Sequence, residues 1–212
     1  PVHVPGSANA KRQMSYRLFA TEALTSPSIA SVVPSSRELA RAMLPARELR
    51  QARFVVELGP GTGAITRELL RVLPSNASLA AFEINARFCN FLRGNLNDDR
   101  LVLFNASAEA VGPTLRELDW QRVDAVVSSL GLSVMEDRMR RAILRGLVPF
   151  LDEKSLFTQY YYLSSRLADD LYRRWKPGWV SVPRLLEEYF QRIESKIIFR
   201  NVPPAVVFLC RK

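Results

Sequence analysis

The chain has 212 residues, of which 48% are hydrophobic, and carries a formal net charge of +9. This length predicts one domain with a complete core, spanning residues 1–212. No apolar run is long enough to cross a bilayer, and two cysteines with one histidine favour neither a disulfide framework nor a metal centre. We therefore expect a cytoplasmic protein without a bound metal.

The charge is unevenly distributed along the chain. Basic residues outnumber acidic ones by 8 to 3 in residues 1–53 and by 11 to 5 in residues 154–212. Between them, residues 54–153 hold 11 basic and 13 acidic residues. The two basic flanks suit an anionic partner, either a phospholipid surface or a nucleic acid. A generally basic surface without such a partner is the alternative.

Two helices are predicted near the N-terminus. Lys11–Leu24 has the pattern of a basic amphipathic helix, which lies either at a lipid interface or on the sheet as a lid. The second helix is predicted to begin at Ser35, with Ser35 and Glu38 as a capping box, and to end near Leu44 before a proline. Residues 1–50 are thus expected to form a lid or a membrane-contacting segment.

The most informative stretch is Phe54–Gly63, which reads FVVELGPGTG. A short apolar strand runs into three alternating glycines, and Ala64–Leu73 then has a helical pattern. Glycine lets the backbone turn tightly and approach a ligand closely. Strand, glycine turn and helix together indicate the opening unit of a nucleotide-binding sheet.

The residues around the glycines indicate which nucleotide is bound. Glu57 stands just before the turn, where a carboxylate would repel the pyrophosphate of a dinucleotide. Pro60 lacks an N–H that a phosphate could use. S-adenosylmethionine carries an ammonium, a sulfonium and no phosphate, so the sequence favours it over NAD.

Two further strand ends carry candidate cofactor contacts. A second strand ends in Glu83, about 20 residues after the turn, the spacing at which an acid reaches a ribose hydroxyl pair. The alternative is a surface glutamate that caps the predicted helix Ala86–Arg93. A third strand, Leu101–Phe104, is followed by Ser107 and Glu109, which either bracket an adenine or cap a helix.

These motifs resemble a known class of enzymes. VELGPGTG, FEIN and ASAE together resemble the cofactor half of the class I S-adenosylmethionine-dependent methyltransferases. Residues 33–43 (VPSSRELARAM), 124–130 (DAVVSSL) and 200–205 (RNVPPA) are similar to the soluble bacterial phospholipid N-methyltransferases. The resemblance implies an α/β, Rossmann-like sheet of seven strands with helices on both faces, a terminal β-hairpin and extra N-terminal helices.

The resemblance also implies a function and a set of site residues. The expected reaction is methylation of the ethanolamine nitrogen of a phospholipid by a monomeric enzyme at the inner face of the membrane. The expected cofactor contacts are Glu57, Gly59, Gly61, Gly63, Glu83, Ile84, Ser107, Ala108, Glu109 and Ser128. The candidate catalytic residues are Tyr160, from a tyrosine run at the end of a strand, and Tyr16, if the first helix folds over the site. Core packing is the alternative role for the tyrosine run.

One loop departs from the family pattern. A Leu-Pro pair is expected after the fourth strand, where this chain has Leu130, Gly131 and Leu132. An RNA adenine N-methyltransferase, a small-molecule methyltransferase and a lipid-binding module therefore remain alternatives. The remaining predicted elements are strands Val123–Val127, Ser155–Tyr161, Ile193–Phe199 and Ala205–Leu209, and helices Glu136–Leu147 and Ser165–Trp175.

Overall fold

The computed structural model describes residues 36–165, 174–175 and 178–212. The predicted helix Lys11–Leu24, which contains Tyr16, lies outside the described residues, as does most of the predicted helix Ser165–Trp175.

Seven strands form one sheet in the order β3-β2-β1-β4-β5-β7-β6. The strands are β1 (Phe54–Leu58), β2 (Ser78–Phe82), β3 (Leu101–Phe104), β4 (Ala125–Ser128), β5 (Leu156–Tyr162), β6 (Arg192–Ile198) and β7 (Ala205–Arg211). Strands β1 to β5 are parallel, whereas β7 runs antiparallel to both β5 and β6. The predicted fold class and terminal hairpin are confirmed.

Helices cover both faces of this sheet. They are α1 (Arg37–Met43), α2 (Ala46–Leu49), α3 (Ala64–Val72), α4 (Ala86–Asn95), α5 (Val111–Glu117), α6 (Asp137–Leu147) and α7 (Val182–Glu187), with 3-10 turns at Ala108–Ala110 and Val148–Phe150. Leucines of α1 and α3 share a core with one face, and those of α5, α6 and α7 share a core with the other. Within the described ranges, no helix combines the length and the apolar character needed to cross a membrane.

The start of α1 differs from the prediction. Ser36, rather than Ser35, is the N-cap, and its side chain accepts a hydrogen bond from the Leu39 N–H at 3.1 Å. The predicted capping box is therefore wrong, because Glu38 stands one position too early to complete it. The Ser36 N–H instead donates to Asn201 Oδ1 at 3.1 Å, which ties α1 to the loop between β6 and β7. The helix ends at Met43, with Leu44 as the C-cap, as predicted.

The sheet order creates a crevice at one position. The chain leaves β1 towards β2 on one side, whereas β4 pairs with β1 on the other side. In open parallel sheets, ligands bind at the carboxyl ends of the strands where the order reverses in this way. Here the loops after β1 and β4 face each other, since a Cβ on Gly59 would lie 3.1 Å from Leu130 Cδ2.

Candidate active site

The glycine turn after β1 has a conformation that favours glycine at each alternate position. Gly59, Gly61 and Gly63 have φ values of 72°, 55° and 78°, all in the left-handed region. A Cβ at Gly63 would lie 2.5 Å from Leu92 Cδ2, which fixes α3 closely against α4. The Gly59 N–H donates to the Phe82 carbonyl at 2.9 Å and so holds the turn against the end of β2.

Glu57 is a fully buried acid beneath this turn, at 0% exposure. Neither of its carboxyl oxygens has a hydrogen-bond partner of good geometry among the described residues. Burial, with a smaller contribution from Glu83, raises the pKa of Glu57 to about 8, although the nearby Thr66 hydroxyl acts in the opposite direction. An unpartnered buried carboxyl group is costly without a ligand, and a cationic ligand would satisfy it.

Glu83 links the ends of β1 and β2. One of its carboxylate oxygens accepts the Gly61 N–H at 2.9 Å, and the other accepts the Asn85 N–H at 2.9 Å. Burial raises the pKa of Glu83, while these backbone donors lower it. Each oxygen keeps a lone pair for a further donor, such as a ribose hydroxyl. The adjacent Ile84 is 73% exposed, so an apolar surface is presented beside these oxygens.

The end of β3 is held to the same site. Asn105 Nδ2 donates to the carbonyls of Glu83 at 2.9 Å and Ile84 at 3.1 Å. Ser107 is the N-cap of the following 3-10 turn, since its hydroxyl accepts the Glu109 N–H at 3.3 Å. The capping alternative therefore holds for Ser107, and its contact with an adenine stays a prediction. Ala108 is buried, whereas Glu109 is exposed.

The wall opposite the glycine turn begins at the end of β4. Ser128 is buried, and its hydroxyl accepts the Leu130 N–H at 3.5 Å. The next hydroxyl, that of Ser129, is buried without a hydrogen-bond partner in the described part of the chain. Gln159 Nε2 donates to the Leu130 carbonyl at 2.9 Å, which fixes the loop to β5. The Gln159 Oε1 atom is also buried and unpartnered among the described residues.

A small cavity adjoins this wall and contains the tyrosine run. It is lined by Leu130, Gly131, Leu132, Ser133, Tyr160, Tyr161, Tyr162 and Val182. Tyr160 packs edge-on against Tyr162, with ring centroids 5.3 Å apart, and belongs to the core on the α1 face. Tyr161 points into the opposite core. The run is therefore both core packing and cavity lining, and a catalytic role for Tyr160 stays a prediction.

Arg140 is a residue of the acceptor side that the sequence analysis missed. It is 0% exposed, and its guanidinium donates to the Val180 carbonyl at 2.6 Å and to the Leu132 carbonyl at 3.4 Å. It also pairs with Asp137 at 2.9 Å and lies 4.4 Å from the ring centre of Trp179. Arg140 thus joins the cavity loop after β4 to the segment before α7. The i, i+3 spacing from Asp137 signals an ion pair on a helix, but not these long-range contacts.

No group of three or more His, Cys, Asp or Glu side chains that could hold a metal ion occurs in residues 36–165 and 178–212. Cys89 and Cys210 are both buried and unpaired, as the sequence indicated.

Two comparisons with known sequences bear on this site. A family model described as ribosomal RNA adenine dimethylase matches residues 35–108, which run from α1 to the end of β3 and the turn after it. The ornithine lipid N-methyltransferase of Singulisphaera acidiphila is 24% identical over 188 residues, which cover 86% of this chain and 88% of that protein.

Solved methyltransferase structures share the fold at low sequence identity. A precorrin-6y C5,15-methyltransferase from Geobacter metallireducens has a TM-score of 0.59 at 16% identity, covering 84% of this chain and 89% of that one. Human methyltransferase-like protein 13, in complex with SAH, has a TM-score of 0.59 at 14% identity, covering 83% and 82%. A TehB-like methyltransferase from Corynebacterium glutamicum has a TM-score of 0.58 at 14% identity, covering 92% and 99%.

The fold and these matches define a class I S-adenosylmethionine-dependent methyltransferase. Within the class, the chain is similar to a family that methylates adenine in RNA over its first half, and to a lipid N-methyltransferase over most of its length. The predicted cofactor, S-adenosylmethionine, is confirmed at the level of this class. The unpartnered Glu57 and the bare glycine turn fit such a cationic group.

Proposed function

We propose that this methyltransferase methylates the primary amine in the headgroup of a membrane lipid, with phosphatidylethanolamine as the expected substrate. The observation that carries the proposal is the extent of the two sequence matches. The RNA family model ends at residue 108, before β4 and the cavity. The lipid N-methyltransferase is aligned over 188 residues, so the similarity extends into the half that holds the cavity.

The acceptor cavity supports an amine substrate. Its wall carries two buried acceptor oxygens, Ser129 Oγ and Gln159 Oε1, that lack partners in the described residues. The N–H groups of an amine would satisfy them, and the aromatic rings of the tyrosine run would lie near the cation that forms on methylation. The bound cofactor supplies an activated methyl group, so the protein needs mainly to align the amine and exclude water.

Tyr160 is proposed as the residue that receives or relays the amine proton. The Tyr160→Phe enzyme is expected to lose roughly 100-fold in kcat with unchanged cofactor affinity, because only the hydroxyl is removed. Tyr161→Phe is the matched control, since its ring points into the other core. Equal kcat values for the wild type and Tyr160→Phe would remove Tyr160 from this role. Tyr16 stays a candidate outside the described residues.

The test of the substrate is a transfer assay with methyl-labelled S-adenosylmethionine. Vesicles containing phosphatidylethanolamine, vesicles containing ornithine lipid, single-stranded RNA and small soluble amines are offered in parallel. The proposal predicts label in a lipid fraction and none in RNA. A Gly59→Val enzyme is the inactive control, because its φ of 72° and its approach to Leu130 leave no room for a side chain.

A second candidate function is N-methylation of adenine in RNA, which the family model over residues 35–108 favours. Label in RNA with none in either vesicle preparation would establish that function and overturn the lipid proposal. Label only in the soluble amines would overturn both.

A further inference from the structure

The tip of the β6–β7 hairpin, residues 199–204, lies at the edge of the sheet that carries the site. Ala205, the first residue of β7, pairs with Tyr162 at the end of β5 and with Ile198 at the end of β6. Because β5 is parallel to β1 and β4, its carboxyl end is on the same edge as the glycine turn and the cavity. Any surface that meets the hairpin tip therefore also faces the acceptor side.

The hairpin tip is held in place by hydrogen bonds at several points. Asn201 is 3% exposed, accepts the Ser36 N–H at 3.1 Å and donates to the Pro203 carbonyl at 2.7 Å. The Pro204 carbonyl accepts the Leu163 N–H at 2.9 Å. The tip is thus anchored both to α1 and to the end of β5, which fixes the direction of the side chains on either side of Asn201.

Those neighbouring side chains are large, apolar and exposed. Phe199 is 74% exposed and Val202 is 75% exposed, while Ile197 on the adjoining strand is 47% exposed. Single exposed apolar residues are common on protein surfaces and need no explanation. Three of them grouped on one anchored hairpin indicate a contact surface instead.

The charge around these residues has one sign. Lys196 and Arg200 are both exposed and stand among the three apolar residues. After Glu194, no acidic residue occurs in the remainder of the sequence. A surface with apolar side chains ringed by cations is complementary to an anionic lipid interface, which offers both a hydrocarbon boundary and negative headgroups.

We propose that the hairpin tip docks on an anionic lipid bilayer. Phe199 and Val202 enter the interface, while Lys196 and Arg200 contact the headgroups. This docking would bring the cavity beside the tyrosine run to the lipid surface, and in that respect it rests on the proposed function. The binding itself is measurable without any methyl transfer.

The test is co-sedimentation of the full chain with vesicles of phosphatidylglycerol and phosphatidylcholine. The variant Phe199→Ser/Val202→Ser is expected to lower the partition coefficient about tenfold through lost apolar burial. Lys196→Gln/Arg200→Gln is expected to lower it about tenfold on these vesicles, with little effect on vesicles of phosphatidylcholine alone. Val102→Ser is the matched control, because Val102 is 42% exposed on β3, at the opposite edge of the sheet.

Two results would overturn the docking proposal. One is that both hairpin variants bind vesicles as well as the wild type. The other is that they lose affinity for single-stranded RNA while vesicle binding is unchanged, which would make the hairpin an RNA contact. Unchanged cofactor binding by each variant shows that it is folded.

Failure of the docking proposal and failure of the proposed function give different results. If the wild type binds vesicles through the hairpin but labels no lipid, docking stands and the lipid substrate fails. If it labels short-chain phosphatidylethanolamine dissolved as monomers, while hairpin variants bind vesicles normally, the substrate stands and docking fails.

Discussion

Glu57 is the residue in which folding and cofactor binding oppose each other most directly. Its carboxyl group is buried without a hydrogen-bond partner in the described structure, and its pKa is about 8 rather than 4.5. The folded protein therefore keeps a proton that the unfolded chain loses above pH 4.5. Consequently, the free energy of unfolding falls as pH rises from about 4.5 to about 8, by about 3 kcal/mol at pH 7.

The variant Glu57→Gln is expected to remove this pH dependence, since its amide does not ionise. In thermal denaturation without cofactor, the Tm of the variant should rise relative to the wild type between pH 5 and pH 8. Glu117→Gln, an exposed site on α5, serves as the control and should track the wild type. A difference between Glu57→Gln and the wild type that stays constant with pH would contradict the assignment.

Ligand binding should reverse the protonation of the same group. A cation beside Glu57 lowers the pKa of the carboxyl group, so S-adenosylmethionine binding at pH 7 is expected to release a proton. Calorimetric titrations in two buffers with different heats of ionisation would measure this release, which should vanish in Glu57→Gln. Proton release that persists in the variant would place the titrating group elsewhere.

Gly63 is the second residue for which the structure gives a sharp expectation. Its φ of 78° and the 2.5 Å approach of a Cβ to Leu92 predict that Gly63→Ala loses about 2 kcal/mol or more of stability. Gly94→Ala within α4 is the matched control, because nothing lies within 4 Å of its Cβ. That change should raise stability by about 0.5–1 kcal/mol. Denaturant unfolding measures both, and equal effects would refute the conformational argument.

At the scale of elements, Arg140 on α6 holds two loops that are 48 residues apart in sequence, at Leu132 and Val180. Arg140→Met would leave both carbonyls without this donor, and we expect a loss of about 2–4 kcal/mol in stability. The KM for the acceptor should rise more than that for the cofactor, because the two loops border the cavity. Arg138→Met, at an exposed site on the same helix, is the control.

Most elements could be predicted from local patterns, whereas long-range contacts could not. The glycine turn and the alternating strands and helices carry the periodicities that predicted the sheet and its hairpin. Helix α5 was missed because Gly112 and Pro113 weaken its helical pattern. Helix α7 is short, although Ser181 before Pro183 was a usable start signal. The contacts of Arg140 and Asn201 depend on segments that are adjacent only in the folded chain.

At the scale of the whole molecule, the choice of cofactor is directly testable by stabilisation. S-adenosylmethionine at about 100 times its Kd adds about 2.7 kcal/mol to the free energy of unfolding. For a chain of 212 residues, this should raise Tm by roughly 5–10 °C. NAD should leave Tm unchanged, since Glu57 repels its pyrophosphate. A larger shift with NAD than with S-adenosylmethionine would overturn the cofactor assignment.

The last strand of the sheet order has a consequence for how the protein behaves in concentrated solution. Strand β6 forms an open edge, where backbone amides and carbonyls are available to a strand from another molecule. Arg192, Glu194 and Lys196 are exposed along this edge and interrupt its apolar residues with charges of both signs. These charges disfavour intermolecular strand pairing, so the same hairpin that exposes phenylalanine and valine at its tip is protected from aggregation along its length.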